Sequence, residues 1–417
     1  MIERKPILLQ INVTVNSGST GKIAEDIGRI AISRGWRSII AYGRKSGSSQ
    51  NELIKIGDSL SINWHGLESR LFDNHGLASV SSTKSFLKRV DAINPDIVHL
   101  HNIHGYYINY KLLFDYLAAK RIPIIWTLHD CWPFTGHCAY FDFAHCDRWK
   151  KGCYAPCPCK SSYPSSICFD GSKRNYYLKN SAFSSVDDLL LVPVSNWLKG
   201  LIDHSFLKSY PSCVIHNGID LDVFRPISCD STTSDAYGIK DRKVILGVAN
   251  NWEARKGLHD FIKLRNLLDE SFVIVLVGVN DKQRVSLPKG IIGINRTQNQ
   301  AELARLYSLS DIFLNLTYED NYPTTNLEAM ACGTPVLTYR TGGSPESISP
   351  LTGWVVEKGD IQSVAGIVRR LVAQDKSDIL EMRKSCRNRA EKEFNKTSCF
   401  NDYFGLYEDI LSRTSEQ

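Results

Sequence analysis

The fold is constrained most by an alternation that runs along the 417-residue chain: short apolar runs take turns with amphipathic stretches. PILLQINVT reads as a strand, NSGSTG as a loop and KIAEDIGRIAISRG as a helix. SIIAYG, DIVHLHNI, IPIIWTLHD and DDLLLVPVS read as further strands, and SCVIHNGID as a strand and turn. FLKRVDAINP, KLLFDYLAAKR and NWLKGLIDHSFL carry helical patterns between them. A second series runs through RKVILGVANN, GLHDFIKLRNLL, SFVIVLVG, GIIGIN, QAELARLYSLS and DIFLNL. Such alternation predicts an α/β protein built on parallel, doubly wound sheets. Between Phe224 and Tyr237 the segment PISCDSTTSDAYG is polar and turn-rich, so two Rossmann-like domains are expected to join there around a cleft.

The length suits about two to three domains. A hydrophobic share of 43% and a charged share of 23% are ordinary for a globular protein. The net charge of +6 permits an acidic partner without requiring one. The first apolar run is broken by Gln10, Asn12 and Thr14 and reads as a buried strand rather than a signal. No run of about 18 apolar residues occurs, so no spanning helix is expected. The expected location is cytoplasmic, with any membrane contact peripheral and at the inner face. No nucleic-acid partner is expected.

Residues 311–346, DIFLNLTYEDNYPTTNLEAMACGTPVLTYRTGGSPE, concentrate the chemistry. IFLNL reads as a strand and TNLEAMA as a short helix with Leu327, Met330 and Ala331 on one face, ending near Gly333. PVLTY is the next strand. An acidic loop and a helix start at the carboxyl edge of a parallel sheet make a ligand site. Helix N-terminal amides favour phosphate, and Glu319, Asp320 and Glu328 can accept hydrogen bonds from sugar and ribose hydroxyls. A site that takes phosphate and polyols together suggests a nucleotide sugar.

This block resembles the donor site of the retaining family-four glycosyltransferases of the GT-B fold, of the bacterial exopolysaccharide, capsule or O-antigen type. That family shows two glutamates with seven residues between them, then AMACGTPV, a GG turn and PE. Here the second is Glu328 and the first position holds Asp320, with Glu319 beside it. HNGIDLDVFRP, residues 216–226, is similar to the family's interdomain signature, and GVANNWEARKGLHDFI, residues 247–262, to its diphosphate-binding loop. Lys256 matches the second cation of that loop. Asn250 stands where the family places an arginine, and Arg255 partly replaces it.

The resemblance implies two Rossmann-like domains with an interdomain cleft: residues 1–224 for the acceptor, 225–397 for the nucleotide sugar, and 398–417 as a helix crossing back to the first. It implies that Glu328 holds the ribose and that Asp320, with Glu319, orients the donor sugar. Lys256 and the helix start at Thr324, Thr325 and Asn326 would hold the diphosphate. Lys256 would stabilise its charge as it leaves. The glycine loop 16–26 lacks phosphate-loop spacing. Its Gly18 and Gly21 let the backbone approach either the donor diphosphate or the acceptor, and Gly18 is grouped with the donor-binding residues. His129, at a strand end, takes the family's histidine position near the transferring sugar. His99 and His101 share one strand face and are assigned to packing and hydrogen bonding. The donor is expected to be UDP- or GDP-linked, the acceptor a glycan or a polyprenyl diphosphate, and no catalytic metal is expected. A non-catalytic sugar-nucleotide-binding subunit and a GT-B epimerase are the alternatives.

Seven of the twelve cysteines fall between Cys131 and Cys168, in an insertion spanning 131–168. Cys138, Cys146, Cys153 and Cys157 suit a structural zinc, with Cys159 competing, and free buried thiols are the alternative reading. The same region interleaves Trp149, Arg148, Lys150, Lys151, Lys173, Arg174, Tyr176 and Tyr177, a mixture that suits a membrane surface or plain solvent.

Overall fold

The computed structural model describes residues 4–228, 237–239 and 241–415. The stretch 229–236, inside the polar segment read as a domain joint, lies outside the described residues. The chain divides into two compact units, Met1–His216 with Phe400–Gln417, and Asn217–Cys399.

In chain order the first unit contains β1 (Ile7–Asn12), α1 (Gly18–Ser33), β2 (Arg37–Tyr42), β3 (Glu52–Lys55), α2 (Ser59–Phe72), α3 (Val80–Ile93), β4 (Ile97–Leu100), α4 (Tyr110–Lys120), β5 (Ile124–Leu128), α5 (Ser172–Phe183), β6 (Leu189–Pro193) and α6 (Asn196–Ile202). The second contains β7 (Lys243–Val248), α7 (Leu258–Leu267), β8 (Phe272–Val277), α8 (Asp281–Ser286), β9 (Ile291–Ile294), α9 (Gln300–Leu309), β10 (Ile312–Asn315), α10 (Thr324–Ala331), β11 (Val336–Tyr339), β12 (Gly353–Val356), α11 (Ile361–Val372) and α12 (Lys376–Glu393). The final helix, α13 (Lys396–Ser415), carries the chain back into the first unit.

Each unit is built on one parallel sheet, ordered β3-β2-β1-β4-β5-β6 in the first and β12-β11-β10-β7-β8-β9 in the second. Strand order reverses beside β1 and β7, the positions at which open α/β sheets bind ligands. Every residue of β1 and β8 is buried, because helices cover both faces of a parallel sheet. Helix α11 shows how the helices seal the sheet. Ile361, Val364, Ala365, Val368 and Leu371 form its buried stripe, and the Asp360 side chain caps it by accepting from the Ser363 amide. Burial of each isoleucine, valine or leucine in that stripe contributes about 1.5–3 kcal/mol.

Three expectations change. SCVIHNGID contains no strand: Ser212 makes one isolated bridge to Leu191, and Pro211 cannot donate to a ladder. The boundary between the units falls at His216–Asn217 rather than at 224. The Asn217-Gly218 turn opens the second unit at this boundary. A side chain at Gly218 would meet the Lys396 backbone at 2.4 Å, and Asp220 pairs with Lys396 at 2.8 Å, so this turn is fastened inside the second unit. Finally, α1 begins at Gly18, inside the predicted glycine loop.

Candidate functional site

In the second unit, two loops at the carboxyl ends of neighbouring strands are stitched together. The loop after β7 makes a 3-10 turn over Ala254–Lys256, and Gly257 follows in the left-handed region at φ 78°. A Cβ there would stand 2.1 Å from the Leu316 carbonyl. Only glycine combines that backbone with that approach. The Arg255 carbonyl accepts from the Tyr318 amide at 2.7 Å and from the Thr317 hydroxyl at 3.2 Å. These contacts bring Lys256 Nζ to 2.6 Å from Asp320 Oδ2, with both side chains 21% exposed. Asp320 Oδ1 accepts from the Asn321 amide, which fixes the carboxylate's rotation.

The GG turn packs against the same loop. Gly342 has φ 51°, and a Cβ on it would lie 1.7 Å from the Asp320 carbonyl. Gly343 donates its amide to the Asn321 carbonyl at 2.7 Å. Below, the buried Asp260 carboxylate of α7 accepts from the Tyr318 hydroxyl at 2.6 Å and the Tyr339 hydroxyl at 2.9 Å. Burial first, then Asp260, pushes the Tyr318 phenol up to about 12, so it stays a donor.

Glu328 lies on α10 and is half-buried. Its Oε2 accepts from the Tyr307 hydroxyl of α9 at 2.9 Å. Burial above all, reinforced by the Glu328 carboxylate, holds that phenol protonated. Thr324 and Thr325 occupy the first turn of α10, where amides have no partner four residues back in the helix. Asn326 departs from its expected role. Its amide already donates to the Pro323 carbonyl, and its side chain bridges Asn315, Ser344 and Ser347. It braces the helix rather than presenting a group to ligand. Arg255 contacts the Glu319 carbonyl at 3.3 Å and Glu253 at 3.1 Å, so it too helps hold the loop. Asn250 is exposed at the end of β7, and Glu319 is buried beside Asp320.

The first unit holds Gly18 and His129. Gly18 has φ 69° and open space where a Cβ would stand. His129 follows β5 and ends a row of histidines. His101 contacts Gln10 Oε1 through Nε2 at 3.1 Å and His129 Nε2 through Nδ1 at 3.3 Å. Gln10 commits its amide nitrogen to the Ala24 carbonyl, so its oxygen accepts from His101. His101 Nδ1 then accepts from His129 Nε2, which assigns the proton on His129 to Nε2. Desolvation lowers His129 to about 4, with Asp130 pulling the other way, so it is neutral near pH 7. His99 hydrogen-bonds Tyr407 of α13 at 2.6 Å and Thr127 at 2.7 Å. His99 and His101 are thus engaged in packing and hydrogen bonds, as the sequence implies.

The cysteine insertion packs as a small core. Cys138, Cys146, Cys153 and Cys157 all line one pocket. Among the described residues, however, no three or more histidine, cysteine, aspartate or glutamate side chains are grouped so that they could hold a metal ion. Trp149 and Tyr176 are buried, so of the interleaved aromatics only Tyr177 is exposed. The inward turn of Trp149 follows from its packing on Phe134 and Phe141.

Residues 230–393 match the family of glycosyl transferases group 1, and residues 21–223 match Glycosyltransferase Family 4. The chain belongs to the group 1 and family 4 glycosyltransferases. It is 22% identical to the putative colanic acid biosynthesis glycosyl transferase WcaC of Escherichia coli K12, covering 97% of this chain and 100% of WcaC. Its fold matches the sucrose-phosphate synthase of Thermosynechococcus elongatus with a TM-score of 0.71 at 16% identity, over 98% of this chain and 100% of that one. It also matches Anabaena HepE solved with UDP, with a TM-score of 0.68 at 14% identity, over 97% of this chain and 100% of HepE. The glycosyltransferase therefore has the GT-B fold. No helix among its described residues is long and apolar enough to cross a membrane. Tyr307 and Asp260 were not singled out in the sequence, because a lone tyrosine or aspartate on a helix carries no local signal.

Proposed function

We propose that this glycosyltransferase moves a sugar from a UDP- or GDP-linked donor to a glycan or polyprenyl-diphosphate-linked acceptor, with retention, in surface polysaccharide assembly. The reading rests on one arrangement: Lys256 and Asp320 meet at 2.6 Å where two loops leave the parallel sheet, on the same sheet edge as the start of α10. The Lys256 ammonium neutralises the diphosphate as the bond from the anomeric carbon to its oxygen breaks. The acceptor hydroxyl oxygen forms the new bond on the same face, and its proton passes to the departing diphosphate. Asp320, released from Lys256 when diphosphate takes that cation, accepts from donor sugar hydroxyls. Glu328, oriented by Tyr307, accepts from the ribose. The name of WcaC and the UDP bound by HepE support the pathway class and the donor class.

The enzyme works at the cytoplasmic face of a membrane. Leu60, Trp64 and Leu67 form an exposed stripe on α2, Phe143 and Ile167 are exposed on the cysteine insertion, and Phe169 is exposed just after it. Such a surface suits a bilayer that carries a lipid-linked acceptor.

The test is a donor screen with a polyprenyl-diphosphate glycan acceptor, reading nucleoside diphosphate release and the anomeric configuration of the product. Acceptor-dependent release with retention supports the proposal. Epimer formation without acceptor, or binding with no turnover across the screen, overturns it in favour of an epimerase or a binding subunit.

A further inference from the structure

Separate segments of the first unit converge at the carboxyl ends of β4 and β5, on a cluster that the donor chemistry leaves unused. His104 follows β4 and Asp130 follows β5. Asp130 Oδ2 accepts from His104 Nε2 at 2.8 Å, and Asp130 Oδ1 accepts from the Trp132 amide at 2.9 Å. Burial works to raise the Asp130 carboxyl, but His104, the Trp132 amide and His129 outweigh it and hold it below its usual value. An ionised carboxylate only accepts, so His104 keeps a proton on Nε2, and in the neutral ring Nδ1 is an acceptor. That acceptor takes the Tyr163 hydroxyl at 3.1 Å. Tyr163 belongs to the cysteine insertion, where its carbonyl accepts from the Ala139 amide at 3.1 Å, and the residue is 45% exposed. A tyrosine hydroxyl is protonated near pH 7. With its proton on His104, the Tyr163 oxygen keeps lone pairs for a second donor.

His75 adds a donor to the same cluster. It lies between α2 and α3 and is 3% exposed. Its Nδ1 accepts from Trp132 Nε1 at 2.8 Å. Burial holds His75 well below its usual value, so the ring is neutral and its one proton sits on Nε2. That Nε2 is buried and has no hydrogen-bond partner among the described residues. The tautomer cannot reverse, because an indole N–H only donates and Trp132 is clamped. Lys179 of α5 donates to the Trp132 carbonyl at 2.7 Å, with its ammonium 3.7 Å from the centre of the indole ring. Around His75 stand the rings of Tyr106 at 5.2 Å, Trp132 at 5.4 Å, Tyr163 at 6.1 Å and His104 at 6.2 Å. Tyr106 has φ 70°, a backbone conformation rare for an aromatic residue. A buried donor left unpaired in a native fold marks a place for a partner from outside the chain.

We propose that Tyr163, with His75 and Tyr106, forms a subsite for a pyranose ring of the acceptor glycan and determines which sugar is accepted. His104 and Asp130 are positioning residues that fix the Tyr163 hydroxyl. The proposal rests on the glycosyltransferase reading above, which makes a sugar the ligand. A pyranose carries hydroxyls that donate and accept along its edge and C–H groups on its face. His75 Nε2–H donates to one hydroxyl oxygen, the Tyr163 oxygen accepts from another hydroxyl, and the aromatic rings cover the apolar face. A site built to hydrogen-bond a hydroxyl rejects the analogue that lacks it, which is the source of the discrimination. His104 and Asp130 also line, with His129, a crevice at the strand ends, so the subsite adjoins His129. The cysteine insertion serves to carry Tyr163 to this sheet edge.

The experiment uses the full chain and saturation-transfer NMR, with methyl glycosides of the common hexoses and N-acetylhexosamines as probes. At least one glycoside is expected to receive saturation that excess UDP does not displace. Tyr163→Phe should weaken that binding about tenfold, the scale of one hydrogen bond, and His104→Ala by a similar factor. The double variant should bind no more weakly than His104→Ala, since the histidine acts through the tyrosine. With an acceptor that turns over, Tyr163→Phe should raise acceptor KM by the same factor and leave kcat and donor KM unchanged. No glycoside binding by the wild type, binding that UDP displaces, or unchanged affinity in Tyr163→Phe overturns the proposal. Binding of the expected kind in a chain that never turns over sinks the glycosyltransferase reading and leaves the subsite standing. Turnover with acceptor KM unchanged in Tyr163→Phe does the reverse. The wild-type and Tyr163→Phe readings decide the matter even if His104→Ala fails to fold.

Discussion

Lys256 Nζ lies 2.6 Å from Asp320 Oδ2, although the two residues belong to loops after different strands and both are only about a fifth exposed. The pair stores an ammonium and a carboxylate that a nucleotide sugar would separate, the first turning to diphosphate and the second to sugar hydroxyls. Lys256→Ala is expected to lower turnover by about two to three orders of magnitude, the scale for losing a key electrostatic contact. Asp320→Ala should be similarly severe, and Asp320→Glu milder. Steady-state release of nucleoside diphosphate measures both. Wild-type turnover in Lys256→Ala would remove the lysine from the mechanism.

Glu328 and Tyr307 separate contact from orientation. Glu328→Gln is expected to cut turnover by about two to three orders of magnitude. Tyr307→Phe removes only the 2.9 Å hydrogen bond that aims the carboxylate. A hydrogen bond to a charged group contributes about 1.5–3 kcal/mol, so donor KM should rise about tenfold or more while kcat changes little. An equal fall in kcat would place Tyr307 in the chemical step instead.

Gly342 tests the backbone fit of the GG turn. At φ 51°, with the Asp320 carbonyl 1.7 Å from where a Cβ would sit, Gly342→Ala must shift one of the two loops. Strain of this kind costs about 1–3 kcal/mol. The expected result is a lower Tm together with weaker donor binding, read by thermal unfolding with and without UDP. An unchanged Tm would mean that the turn relaxes freely.

Acid should destabilise the first unit through its buried histidines. Burial, with a smaller push from His129, lowers His99 to about 3, and burial lowers His65 to about 4. An unfolded histidine titrates near about 6.5. Between those values the unfolded chain binds protons that the folded chain refuses, so stability is full above about pH 6.5 and falls as pH drops toward 4. Tm measured from pH 4 to 8 should show that slope, and His99→Asn should flatten it. Identical slopes would exclude His99 as a source.

Much of the architecture was legible in the sequence because strand and helix periodicity are local. Runs such as SFVIVLVG and GLHDFIKLRNLL announce themselves within about ten residues. β3, α2 and α5 were not seen. β3 has a single buried residue, Ile54, and α5 has low overall hydrophobicity, so neither projects a clean pattern.

By itself, the sequence determined the parallel α/β class and an acidic block whose residue types suit the proposed diphosphate and sugar, since each depends on composition and short spacing. Tertiary structure alone decided which groups meet. Sequence spacing could not reveal that Asp320 would face Lys256, that Tyr307 would aim Glu328, that Asn326 would be spent as a brace, or that Asp73 would hold His137. Those partners lie far apart in the chain and are joined only when separate strands and helices pack. An ion pair or hydrogen bond depends on distance in space, whereas periodicity records only distance along the backbone.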